Sequence, residues 1–150
     1  MSYASGTSVP IDRSKAEIEK ILSKYGAHEF GYVSRANGTE YAIRFTIKFW
    51  SVQITLPMPK KSDKEFTMTA TGRYRHENEV EKYWEQGCKA RWRALVLIIK
   101  AKLEAVDAGI STVEREFFVD IVMPGGGTVG AKLLPQIAES YKSSVPQLPM

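Results

Sequence analysis

"YAIRFTIKFWSVQITL", residues 41–56, is the stretch that decides the fold. Tyr41, Ile43, Phe45, Ile47 and Phe49 alternate with Ala42, Arg44, Thr46 and Lys48, the two-residue period of a strand with one buried face. After Trp50 and Ser51 the apolar phase moves to Val52, Ile54 and Leu56. A one-residue phase change reverses the faces, so a tight turn or bulge is required near Phe49–Ser51. Upstream, "EFGYVSR" (29–35) reads as a short strand, and "ANGTE" (36–40) carries the Asn-Gly pair of a hairpin. Three antiparallel strands are therefore expected. Downstream, the two prolines of "PMPKKSDKE" (57–65) break the sheet, and "FTMTATGRYR" (66–75) reads as a further short strand or an extended arm.

Helices flank this sheet on both sides. Ser14 and Glu17 form a capping box, Ile18, Ile21, Leu22 and Tyr25 share one face, and Gly26 can end the helix. A long helix runs from about Glu77 to Val106, with Gly109 beyond it. Its Val80, Trp84, Gly87, Cys88, Leu95, Ile98, Ile99 and Val106 form an apolar face predicted to cover the sheet. Lys82, Lys89, Arg93 and Lys100 align on the opposite side. Ser111 and Glu114 make a second capping box before Phe117, Phe118 and Ile121. After the turn "PGGGT" (124–128), Val129–Tyr141 carries Leu133, Leu134, Ile137 and Tyr141. The order is helix, three strands, long helix and two short helices, an α+β domain over residues 11–142 with tails at 1–10 and 143–150.

With 150 residues, 43% hydrophobic and 25% charged, the chain can bury a core of its own. A net charge of +4 is mild, but its distribution is not even. Lys82 to Lys102 holds six basic residues and one acid, Glu85, whereas Glu104 to Asp120 holds five acids and one base, Arg115. The lone Cys88 excludes an internal disulfide and reads as a small packing residue of a reducing compartment. No signal-peptide pattern opens the chain, and the apolar run Ala94–Ile99 is too short to span a bilayer. The expectation is a protein of the cytoplasm with no membrane partner.

The chemistry of catalysis finds no motif. His28 and His76 lack metal-ligand spacing, "HENEVE" (76–81) is an acidic helix start, and "PGGGTVG" (124–130) lacks the Lys-Ser/Thr of a phosphate loop. No nucleophile–base pair, metal site or cofactor site is expected. Basic and aromatic residues instead fall into three patches. The outward face of the strands offers Arg44, Lys48 and Trp50, the segment "GRYRH" (72–76) offers Arg73, Tyr74 and Arg75, and the long helix offers Lys89, Arg91 and Arg93. Cations meeting phosphates and rings stacking on bases are how single strands are held. Arg91 and Lys102 fall inside the apolar arc, where each needs a partner such as Asp120, a path to solvent, or a phosphate or carboxylate in a cleft.

In "VPIDRSKAEIEKILSKYGA" (9–27), "RWRALVLIIKAKLEAV" (91–106) and "LLPQI" (133–137) the chain resembles a family of proteins of about this length encoded by bacteriophages and prophages. The resemblance implies a phage or mobile-element origin and carries no catalytic residue. Three antiparallel strands followed by a long helix are similar in topology to the core of phage single-strand annealing proteins, and the αβββα order to the double-stranded-RNA-binding domain. The leading expectation is a non-enzymatic binder of nucleic acid, single-stranded DNA favoured, in phage replication, recombination or annealing. A module that sequesters a host defence protein, suggested by the apolar Ala94–Ile99 stretch, and a binder of small nucleotide-like anions are the alternatives. A homo-oligomer is compatible with each.

Overall fold

The computed structural model describes residues 4–144 and 148–149. Helix α1 (Ile11–Lys24) precedes strands β1 (His28–Arg35), β2 (Glu40–Ile47) and β3 (Trp50–Pro57). A one-turn helix α2 (Lys64–Thr67) leads to the long α3 (Glu77–Asp107), then α4 (Val113–Phe117) and α5 (Val129–Ser143). The strands form an antiparallel sheet in the order β1-β2-β3. This is the α+β layout expected from the sequence.

The phase change has a simple cause. β2 ends at Ile47, Lys48 and Phe49 form a two-residue turn, and Trp50 already belongs to β3. Ile47 therefore pairs with Trp50, Phe45 with Val52 and Ile43 with Ile54, so odd positions of β2 share a face with even positions of β3. Lys48 takes the positive φ of 56° that closes such a turn. Phe49, expected on the buried face, is 78% exposed at the tip.

One face of the sheet carries the core. Ile43, Phe45, Ile47, Val52 and Leu56 meet Ile18 and Leu22 of α1, Trp92, Leu95, Val96, Ile99 and Leu103 of α3, and Phe117 of α4. Trp92 is the largest fully buried side chain, edge-on to Tyr41 at 5.4 Å and tilted against Tyr32 at 5.9 Å. Truncating such a residue costs about 3–5 kcal/mol. The expected apolar face of α3 omitted it, along with Val96 and Leu103, and included Ile98, which is 51% exposed. Leu95, Val96 and Ile99 spend most of the Ala94–Ile99 stretch on the core, so that stretch leaves little for a foreign partner.

Both capping boxes are displaced. Pro10 occupies the N-cap of α1, and Ser14 is buried inside the helix with its hydroxyl unpartnered. Thr112, not Ser111, caps α4 by accepting from the Arg115 backbone N–H, while Ser111 donates to Glu116. The segment from Phe66 on is no strand of the sheet. It finishes α2 and then folds into a small hairpin in which Met68 bridges Tyr74. Residues 4–10, expected as a tail, lie along α3, where Ala4 is buried and the carbonyls of Ser5 and Thr7 accept from Gln86. Residues 1–3, at the start of that expected tail, lie outside the described residues, as do 145–147 and 150 of the other one. Among the described residues no helix is long and apolar enough to cross a membrane.

Candidate nucleic-acid interface

α1 and α3 run side by side and in the same direction: Gln86 holds residues 5 and 7, and Arg93 holds Glu17. On α1, Arg13, Glu17, Lys20 and Lys24 follow the i, i+4, i+7, i+11 spacing that puts them in one row. That row faces Lys100 of α3 across a groove of about 650 Å³, in which Glu17 is the only acid among the described residues. Arg13 to Lys24 covers about 16 Å of helix, the axial rise of four or five phosphates on one strand of a stacked duplex at roughly 3.4 Å each, and of fewer on an extended single strand.

Glu17 reports the field inside this groove. Arg93 holds it with two guanidinium nitrogens across a partly buried ion pair. This hydrogen bond keeps the carboxyl below the usual carboxylate range against the opposing push of burial, and Lys100 and Arg13 add to the effect. The groove is thus cationic with one internal counter-charge. Along α3 the row ends at Glu104.

The residues singled out from sequence do not converge on one surface. Arg44 lies on the uncovered face of β2, exposed, and its Nε donates to Gln53 across to β3. Trp50 points to the opposite face, half-buried against the core, and donates to Glu114 at 3.1 Å. Lys48 pairs with the same carboxylate at 3.2 Å. Glu114 is held below the usual carboxylate range by its own backbone N–H, then by Trp50 and Lys48. Trp50 and Lys48 therefore tie the β2–β3 turn to α4. Phe30, Tyr32, Tyr41 and Phe45 also pack on the core, which leaves the outer sheet face, among the described residues, with the exposed imidazole of His28 beside Thr46 and no Trp, Tyr or Phe ring.

The arm at 64–75 divides similarly. Arg75 donates to the carbonyls of Glu65 and Phe66 and stacks on Tyr83 at 3.9 Å, which clips the hairpin to α3. Arg73 is exposed and Tyr74 is 83% exposed at the hairpin. Of the α3 cations, Arg93 is the partner of Glu17, Lys89 is half-buried one turn before it in the same row, and Arg91 faces the other way. Arg91 lines a second groove, about 760 Å³, walled by Phe66, Tyr83 and Gly87, and reaches the Pro57 carbonyl at 3.4 Å. Lys102 is in neither groove. Its ammonium donates to the Glu116 carbonyl at 2.6 Å and lies over the Phe117 ring at 5.6 Å. Asp120, offered as its carboxylate partner, has its carboxyl raised by burial, which Lys102 only partly opposes. A single anion pocket built on Arg91 and Lys102 is not formed.

Arg13, Lys20 and Lys24 were missed. Their signal was present as the row of cations at helical spacing on α1, but only the tertiary pairing of α1 with α3 joins that row to Lys89 and Lys100. Comparison with protein-family models, with curated proteins and with solved structures finds no match.

Proposed function

We propose that this protein is a non-enzymatic nucleic-acid-binding protein that holds single-stranded DNA along the α1/α3 groove. The observation that carries this reading is that Arg13, Lys20 and Lys24 face Lys100 about a groove whose one acid among the described residues, Glu17, is paired with Arg93. Lys89 extends the row. Such a track suits a flexible backbone, whose phosphates follow the cations while its bases remain free. Arg73 and Tyr74 on the exposed hairpin supply a cation and a ring for a strand that continues past the track. We further propose, on the resemblance read from the sequence alone, that this activity serves replication, recombination or annealing of phage DNA in the cytoplasm of a bacterial host.

The test is fluorescence anisotropy of a labelled single-stranded oligonucleotide with two variants. Lys20→Glu with Lys100→Glu should abolish most binding, and Arg44→Glu on the sheet should leave it nearly unchanged. Loss with Arg44→Glu and retention with the groove variant would move the site to the sheet. No binding by the wild-type chain at low salt would end the proposal.

A further inference from the structure

α5 is the element that its own fold leaves uncovered. Every residue from 131 to 144 is exposed. The helix meets the body at its first turn, where Gly130 lies so close that an added Cβ would come within 3.0 Å of the Val119 carbonyl oxygen. Its sequence is nonetheless amphipathic. Gly130, Leu134, Ile137 and Tyr141 succeed one another at spacings of four, three and four, the seam period of paired helices. Ala131, Leu133, Ala138 and Ser140 flank that seam without charge, while Lys132, Glu139 and Lys142 lie outside it. Leu134, Ile137 and Tyr141 are 57%, 49% and 60% exposed, and the patch continues onto Phe118 and Val119 at the root of the helix.

Two physical facts require a cover. A helix of 15 residues has marginal stability in water on its own, and Pro135 removes one of its backbone donors. The area left open on Leu133, Leu134, Ile137, Tyr141, Phe118 and Val119 is roughly 600 Å², at the top of the range for the largest patch on a monomer and about three quarters of the about 800 Å² that each partner of a stable complex buries.

We propose that this face is closed by a second copy of the chain, with α5 pairing antiparallel to α5 about a two-fold axis near Ile137 and Ala138. The patch is its own complement. An isologous pairing sets an uncharged stripe against an identical one, and no charge has to be buried. In the antiparallel register Leu134 lies beside Tyr141 of the other copy, Ile137 lies beside the small Ala138 that flanks the seam, and the two helix dipoles oppose. Each C-terminal turn then runs back toward the Phe118–Val119 root of the other copy, which brings that part of the patch into the same interface.

Sedimentation equilibrium of the full chain across the micromolar range tests this. A monomer–dimer equilibrium is expected, with Ile137→Asp shifting it to monomer and leaving the circular dichroism of the body intact. A wild-type chain that stays monomeric throughout, its stripe left to some other partner, overturns the proposal, as does a dimer indifferent to Ile137→Asp. Orientation is read by cross-linking. The one native cysteine, Cys88, is buried, so a thiol placed by Ala138→Cys is the accessible one. Mild oxidation should join Ala138→Cys chains about tenfold faster than Lys132→Cys chains, since only facing Cβ atoms about 4 Å apart can be bridged. Equal rates, or faster joining through 132, would overturn the antiparallel pairing.

Discussion

Replacing Glu17 by Gln should tighten nucleic-acid binding while it loosens the fold. The substitution keeps the shape of the side chain and removes the one acid of the α1/α3 groove, which frees the guanidinium of Arg93. Each cation made available to a single strand adds about 0.7 to the slope of log K against log salt, which amounts to about fivefold in affinity at roughly 0.1 M salt. The ion pair it breaks is partly buried, with side chains 23% and 33% exposed. Solvent screening limits its worth to about 0.5–1 kcal/mol, a fall of roughly 1–4 °C in Tm for a chain of this size. Anisotropy titrations at several salt concentrations, beside thermal melts, measure both effects. The pH dependence follows from the direction of the shift. Glu17 is held below its ordinary value of 4.5, so the stability it contributes is complete at neutral pH and is lost as pH falls through that lowered value. The Gln variant should lack this part of the acid transition. A Glu17→Gln protein that is destabilised yet binds no more tightly, with an unchanged salt slope, would show that the strand does not run through this groove.

Two further outcomes concern the core and the arm. The Lys15 ammonium lies 5.0 Å from the Trp92 ring centre, 5.3 Å from that of Tyr41 and 5.5 Å from that of Tyr32. Lys15→Met should therefore cost about 1–2 kcal/mol in urea denaturation, more than a surface lysine, and an unchanged midpoint would remove the cation–π account. At Gly87 an added Cβ would come within 2.8 Å of the Phe66 ring, so Gly87→Ala should cost about 1–2 kcal/mol and speed proteolysis within residues 64–75. Unaltered proteolysis and stability would mean that Phe66 has room to give.

The dimer inferred from α5 and the groove of α1 and α3 are independent, but together they would present two tracks on one particle. A long strand engaging both would gain affinity through effective concentration alone. A short oligonucleotide would not.

What could be read from the chain follows the range of the physics. Alternation in "YAIRFTIKF", the shift after Trp50 and the Asn-Gly pair are local patterns, and they located the three strands and their order. The 3.6-residue period placed α1, α3 and α5 within a few residues of their observed bounds. The capping residues were misplaced because Ser, Thr and Pro compete for an N-cap within a turn of one another, and packing selects among them.

By itself, then, the sequence determined the α+β class and the order of its elements apart from α2, because periodicity and residue chemistry act over a few neighbours. Only the tertiary structure decided which cations stand together. Trp50 and Lys48 are bound to Glu114, Arg93 to Glu17 and Arg75 to the arm, each through a partner 9 to 76 residues away. Arg13, Lys20 and Lys24 join Lys100 because Ile18 and Leu22 must be buried against α3. Charge alone does not choose a surface. The burial of the opposite helix face does.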